Sequence, residues 1–316
     1  VRRLPIAAHE AVLGIILIAA LVVLAFATDR FLTVDNLLNQ GTLMAEVGLM
    51  ALPMTFVIVT GGIDLSVGSI LGLCAILLGV GWKGIGLPLP LAIVFALLVG
   101  AAAGFVNGWF ITRMRVPPLI MTLATLAFYR GLAEGISQAH SVRGYPDWFF
   151  VLGQGTALGV PTQLWLLLVS IVVFGVILAR TAFGRALYAM GHNETASRFS
   201  GLHVARAKLL IYTASGFMAA LAAVVFVSRV STTRSDMGTG VELDVIAAVV
   251  LGGTSIFGGI GTIPGTVLGV VLIQLLKDGL ALTGVKGDAT IMVIGTVLIG
   301  SILITNFAQA RSPRVR

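Results

Sequence analysis

The sequence predicts an all-α polytopic membrane protein with about 10 transmembrane helices in two related halves. Three observations predict it. First, 58% of the 316 residues are hydrophobic and only 10% are charged, where a soluble chain carries roughly 25% charged residues. With a mean hydropathy of +1.05, the chain lacks the polar surface to face water on all sides. Second, runs such as 11–28 (AVLGIILIAALVVLAFAT) are apolar on every face. An apolar helix of about 20 residues crosses a bilayer, and backbone groups in lipid must bond within their own segment. Strands of a membrane barrel would alternate apolar and polar residues instead. Third, basic residues gather between the apolar runs, as orientation in a membrane requires.

Taken in order, the spans fall near 11–28, 43–60, 64–80, 90–110, 117–136, 163–180, 208–228, 242–257, 262–282 and 289–307. The first lacks a small-residue cleavage site and precedes further spans, so it reads as a span and not a signal peptide. The pairs around 43–80 and 242–282 also admit another division, with a short or broken helix near their glycines. Pro53, Pro117 and Pro118 are expected to kink or start helices. One side receives Arg2 and Arg3, Arg113 and Arg115, the basic residues of 180–208, and Arg311, Arg314 and Arg316. That side is the cytoplasm, and it holds both termini. The expected organisation is a cytoplasmic N-terminus (1–10), a transmembrane domain (11–307) with a cytoplasmic loop at 181–207, and a cytoplasmic C-terminus (308–316). The formal charge of +7 then reflects orientation, and nucleic acid is not an expected partner.

Four polar or glycine-rich segments interrupt the apolar pattern. In VTGGIDLSVGSILG (59–72), Gly61 and Gly62 permit unusual dihedrals or close helix contact. Asp64 or Ser66 is placed to cap a helix beginning near Leu65 or Val67. A cap is the simpler role for Asp64, while an intramembrane carboxylate also invites a substrate or proton role. VVLGGTSIFGGIGTIPGTVLG (249–269) holds Gly252, Gly253, Gly258 and Gly259 and partly echoes the first turn as V-x-GG. The two turns occupy corresponding positions of the two halves, as in an internal repeat. Close helix packing is the simpler reading of these glycines. No G-x-x-x-x-G-K-[ST] loop supports a nucleotide site.

In the polar connection 179–208, Asn193 or Thr195 is placed to cap a short helix starting at 194–196, which Gly201 ends. Such a helix either docks another protein or remains a basic surface loop. In FVSRVSTTRSDMGTGVELD (226–244), Ser231, Thr232, Thr233, Arg234, Ser235 and Asp236 gather hydrogen-bonding groups near the predicted outer face. They suit a polyhydroxylated ligand, a delivery protein or a solvated loop. Glu242 and Asp244 read as pairing or capping residues. The outer segment 137–162 carries Tyr145, Trp148, Phe149 and Phe150, aromatic residues suited to a headgroup boundary as an anchor or a docking lid. Lys277 and Lys286, beside Asp278 and Asp288, read as snorkelling residues. Cys74 reads as a buried small hydrophobe. His9, His140, His192 and His203 form no metal motif, and no catalytic triad or Cys-His pair has supporting spacing.

Four segments carry a family resemblance: LPMTFVIVTGGIDLSVGSILGL (52–73), NGWFITRMRVPPLIMTLATL (107–126), GRALYAMGHNETASRFSGL (184–202) and VVLGGTSIFGGIGTIPGTVLG (249–269). In these the chain resembles the permease subunits of ribose-type sugar ABC importers, and SRVSTTRSDMGTG and LCAILLGV look closest to the rhamnose and autoinducer-2 permeases. The resemblance implies the ribose-type permease fold and a bacterial plasma (inner) membrane setting. It implies three partners: a cytoplasmic ATPase subunit carrying ATP and Mg2+, an extracytoplasmic sugar-binding protein, and a second permease copy or paralogue. The chain itself would bind no cofactor and catalyse nothing. Gly191, His192, Asn193, Glu194, Thr195 and Ala196 would belong to the loop that couples ATPase closure to the membrane. Rhamnose, autoinducer-2, ribose, xylose and galactose are all admitted as substrates. An ion-coupled secondary transporter is the competing class.

Overall fold

A computed structural model describes residues 6–28 and 31–285, together with 289–290, 292–293, 295–296 and 299–300. The described residues are mostly helical: α1 (Ile6–Ala27), α2 (Val34–Val59), α3 (Val67–Gly79), α4 (Leu89–Arg113), α5 (Pro118–Ser137) and α6 (Asp147–Gln154) are followed by α7 (Thr162–Arg180), α8 (Ala182–His192), α9 (Glu194–Phe199), α10 (Val204–Val230), α11 (Val241–Leu251) and α12 (Ile263–Leu282). A π-helical turn, Val80–Gly84, prolongs α3. Two antiparallel two-residue ladders complete the described residues. One pairs β1 (Val142–Arg143) with β4 (Thr232–Thr233), the other β2 (Thr156–Ala157) with β3 (Val160–Pro161).

Among the described residues, seven helices are long and apolar enough to cross a membrane, and α1 adds a shorter apolar run at Leu13–Phe26. The protein is therefore a multi-pass membrane protein. Nine predicted spans correspond to helices, while 289–307 falls largely outside the described residues, as do Arg2, Arg3, Lys286, Asp288 and the C-terminal arginines. The second span starts earlier than predicted, at Val34. Its polar first turns hid it, because Asn36 and Gln40 spend their amides on Asp278 of α12 at 3.0 and 2.6 Å. The eighth, predicted to reach residue 257, ends at Leu251. Its 11 residues rise about 16 Å, half a bilayer core. Pro53 lies inside α2, whereas Pro117 and Pro118 begin α5, where a missing N–H costs nothing.

α10 is the centre of the bundle and packs on α2, α3 and α4. Gly100, Gly104 and Gly108 recur every four residues on α4 and bring its backbone against α10. A methyl at Gly104 would overlap the Tyr212 carbonyl, and one at Gly216 would overlap the Gly100 carbonyl. In lipid, where apolar burial drives little, such close backbone contact holds helices together. Outer helices keep apolar faces open, with Val169, Val172, Val173 and Val176 of α7 all exposed.

Candidate functional site

Both glycine turns open with the same helix stop. Gly61 N–H bonds to Ile58 O at 2.8 Å and Gly62 N–H to Val57 O at 3.0 Å. Gly253 N–H bonds to Val250 O at 2.9 Å and Thr254 N–H to Val249 O at 3.2 Å. Each is a Schellman ending with a left-handed glycine, Gly61 at φ +77° and Gly253 at φ +89°. The V-x-GG echo is therefore out of register by one residue: the left-handed position is the first glycine in one half and the second in the other.

The two turns meet each other, and α8 is wedged between them. Gly259 N–H donates to Val59 O at 2.8 Å, joining the second turn to the end of α2. Gly191, in the last turn of α8, lies on that bond: a methyl there would overlap Val59 O and Gly259 N. A methyl on Gly258 would come within 3.0 Å of Gly61 N and 2.9 Å of Gly191 O, and one on Gly259 would strike the His192 ring. Tyr188 O–H donates to Gly261 O at 2.6 Å. Burial pushes this phenol above its ordinary pKa, so it remains a neutral donor. Three segments distant in sequence thus close on one another through backbone atoms.

Local capping sets the hairpin that carries this wedge. Thr181 caps α8 by accepting from Gly184 N–H at 3.1 Å. Asn193 ends α8 and caps α9, accepting from Ala196 N–H at 2.9 Å. Glu194 pairs with Arg198 at 3.1 Å and with Lys208 at 2.5 Å, and Gly201 turns the chain at φ +84°. His192, Asn193, Thr195 and Ala196 are exposed. Phe199 is 88% exposed at the end of α9, and Phe257 is 93% exposed on the second glycine turn. Neither aromatic stood out in the sequence. A groove of about 350 Å³ runs beside α9 between Arg115, Pro118, Arg198 and Lys208.

Above the first turn, Asp64 is fully buried. Ser66, not Asp64, holds the N-cap position of α3, and its side chain makes no capping bond. The Asp64 Oδ1 accepts from Ser66 N–H at 3.0 Å and Ser66 O–H at 2.6 Å, and its Oδ2 from Ser215 O–H of α10 at 2.8 Å. Asn107 of α4 donates to Ser66 Oγ at 2.8 Å. The carboxylate therefore ties the turn to α10, and Ser66 carries the link on to α4, a role that local spacing did not reveal.

At the other end of the bundle, 231–240 is not a surface loop. Ser231 leaves α10 in the left-handed region. Thr232 and Thr233 are buried in the ladder with β1, where the Thr233 hydroxyl accepts from Val142 N–H at 3.2 Å. Arg234 and Asp236 are exposed and pair with each other at 2.5 Å, and Ser235 is half-buried. The segment then runs along the glycine face of α3: methyls on Gly79, Gly72 and Gly68 would meet Thr233, Met237 and Gly238 in turn. Arg130 of α5 clamps it, donating to Ser235 O at 2.6 Å and Met237 O at 2.8 Å. Arg130 was not singled out, although an arginine inside an apolar span is itself a signal. In α6, Gly153 N–H donates to Ser228 Oγ at 2.8 Å while Trp148 stays exposed.

Besides Glu194–Lys208, two ion pairs join helices among the described residues. Lys277 does not snorkel; it pairs with Asp244 of α11. Arg229 of α10 makes a two-pronged pair with Glu46 of α2 at 2.7 and 3.1 Å, with the carboxylate 10% and the guanidinium 22% exposed. Glu46→Gln is expected to cost about 3 kcal/mol by leaving Arg229 uncompensated, and Glu46→Met with Arg229→Met to recover most of it. Unfolding midpoints of detergent-solubilised protein check this; a single variant as stable as the parent would refute it. Among the described residues, no cluster of three or more His, Cys, Asp or Glu side chains could hold a metal.

Residues 34–302 match the family model described as "Branched-chain amino acid transport system / permease component". The autoinducer 2 import system permease protein LsrD of Yersinia enterocolitica is 38% identical over 296 residues, covering 92% of this chain and 89% of the relative. The protein of the same name from Photorhabdus luminescens is 38% identical over the same shares. The ribose import permease protein RbsC of Bacillus subtilis is 40% identical over 285 residues, 90% of this chain and 88% of the relative. No solved structure matches the chain.

Proposed function

Since the chain belongs to the family of branched-chain amino acid transport system permease components, a non-catalytic class of membrane subunit, we propose that it forms the membrane path of an ATP-driven importer for a monosaccharide or sugar-like signal. The relatives' names support that substrate class, with the autoinducer 2 and ribose permeases at similar identity and coverage. The likeness in 231–240 keeps rhamnose beside them, and xylose and galactose are the wider alternatives. The setting is a bacterial plasma membrane with both termini in the cytoplasm. An extracytoplasmic sugar-binding protein delivers the solute at the end holding Ser231–Asp236. A second permease copy or a paralogue completes the path, and ATP and Mg2+ stay on a separate ATPase subunit.

The observation that carries this reading is the wedge of α8 between the two glycine turns. A push on α9 passes through the end of α8 to both turns, because the Gly191 contacts are backbone to backbone and cannot be absorbed by rotamer changes. ATPase closure needs such a link, since it must favour one membrane state over another. In this reading Gly191–Ala196 form the coupling segment, with exposed Thr195, Ala196 and Phe199 meeting the ATPase. Phe199→Ala is expected to weaken ATPase retention roughly tenfold or more, as loss of an aromatic anchor does. Co-purification from membranes in mild detergent checks it, and unchanged retention would contradict the assignment. Uptake assays with D-ribose, L-rhamnose and autoinducer 2 then sort the substrates. The buried Asp64 favours one rival, an ion-coupled transporter; uptake that collapses with an ionophore and needs no ATPase would establish that rival.

A further inference from the structure

Non-helical backbone cannot face lipid, because its polar groups have no water to bond. The run between α10 and α11 raises that problem. Its partner Arg130 lies 12 residues beyond the start of α5 and 7 before its end, so about 18 Å and 10 Å from the two ends at 1.5 Å per residue. Arg130 reaches the carbonyls of Ser235 and Met237 from there. On the other side Met237 O meets α3 at Gly72, where a methyl would stand 2.7 Å from it, 7 residues or about 10 Å short of the end of α3 at Gly79. Yet Arg234, Asp236 and Thr239 are exposed. The Thr239 hydroxyl donates to Asp236 O at 2.7 Å, which fixes a polar turn at this level. Asp236 and Thr239 flank Met237 and so present a charge and a hydroxyl inside a slab about 30 Å thick, with Arg234 paired to Asp236 from the outer side, next to Thr233 at Gly79. The α7 face, by contrast, presents valines.

We propose that Arg234, Asp236 and Thr239 line an aqueous solute path inside the membrane and contact a neutral, hydroxyl-rich solute there. This rests on the importer reading for the identity of the solute. Carboxylate and threonine oxygens accept from solute hydroxyls, and the guanidinium donates to them. The pairing of Arg234 with Asp236 leaves no net charge to hold an ion. Arg130 is a positioning residue, fixing the backbone from behind.

Thiol accessibility in membranes carrying the assembled transporter tests this. The single cysteine, Cys74, is fully buried and gives a quiet background. Thr239→Cys and Asp236→Cys should react with the hydrophilic reagent 2-sulfonatoethyl methanethiosulfonate at least about tenfold faster than Val173→Cys, which faces out from mid-α7. Whichever of D-ribose, L-rhamnose or autoinducer 2 the parent takes up should slow the reaction. Labelling no faster than Val173→Cys means lipid or a second copy covers this face, and overturns the proposal. Rapid labelling that a transported solute never slows overturns the solute contact. ATP-dependent uptake is measured on the parent in the same membranes. Failure of uptake with intact labelling would count against the importer reading alone.

Discussion

Gly191→Val is expected to reach the membrane and sharply reduce coupled transport. The added carbons would overlap Val59 O and Gly259 N, which are bonded to each other at 2.8 Å. Neither is the movable tip of a side chain, so the wedge must back out or the two turns must part. Overpacking of this kind costs about 1–3 kcal/mol, which shifts a two-state equilibrium by about 5- to 150-fold. ATP-driven uptake should therefore fall at least about fivefold, while ATPase retention through α9 changes less. Gly131→Ala is the control: nothing lies within 4 Å of that position on α5, and alanine should be neutral or mildly stabilising. Parental uptake by Gly191→Val would show that the junction does not transmit motion.

Asp64→Leu is expected to be the most damaging single change in the first turn, and Asp64→Asn a mild one. Leucine removes the acceptor of Ser66 N–H and of Ser66 O–H and unties Ser215 of α10. Each stranded buried group costs about 1–3 kcal/mol, so about 3 kcal/mol or more is lost. Asparagine keeps an oxygen for both Ser66 donors. Its NH2 can donate to Ser215 Oγ, while the serine hydroxyl turns to a helix carbonyl one turn back. Thermal unfolding of the purified protein ranks the two variants. Equal damage from both would mean that the charge of Asp64, and not its bonding, is what the site requires. The same outcome would strengthen the ion-coupled rival.

Much of the architecture was legible because the bilayer imposes it. Apolar runs, proline starts and basic boundaries placed nine spans, and glycine density marked both breaks. The errors share one cause: a polar residue in an apolar helix can be read only with its partner. Asn36 and Gln40 hid the start of α2 because their partner, Asp278, lies on α12. Asp64 read as a local cap because its spacing to Ser66 permits one, whereas Ser215 and Asn107 come from helices far along the chain. Glu46 passed unnoticed for the same reason, its partner Arg229 lying on α10.

By itself, the sequence determined that the chain is helical, that it crosses a membrane many times, and where its irregular segments fall. Those properties follow from composition and local order, which lipid reads directly. Only the tertiary structure decided that Gly61, Gly191 and Gly259 converge, and that 231–240 descends along α3 instead of lying on the surface. Both depend on backbones approaching where a side chain is missing. A glycine announces that such an approach is permitted; which backbone arrives is fixed by the packing of the whole bundle.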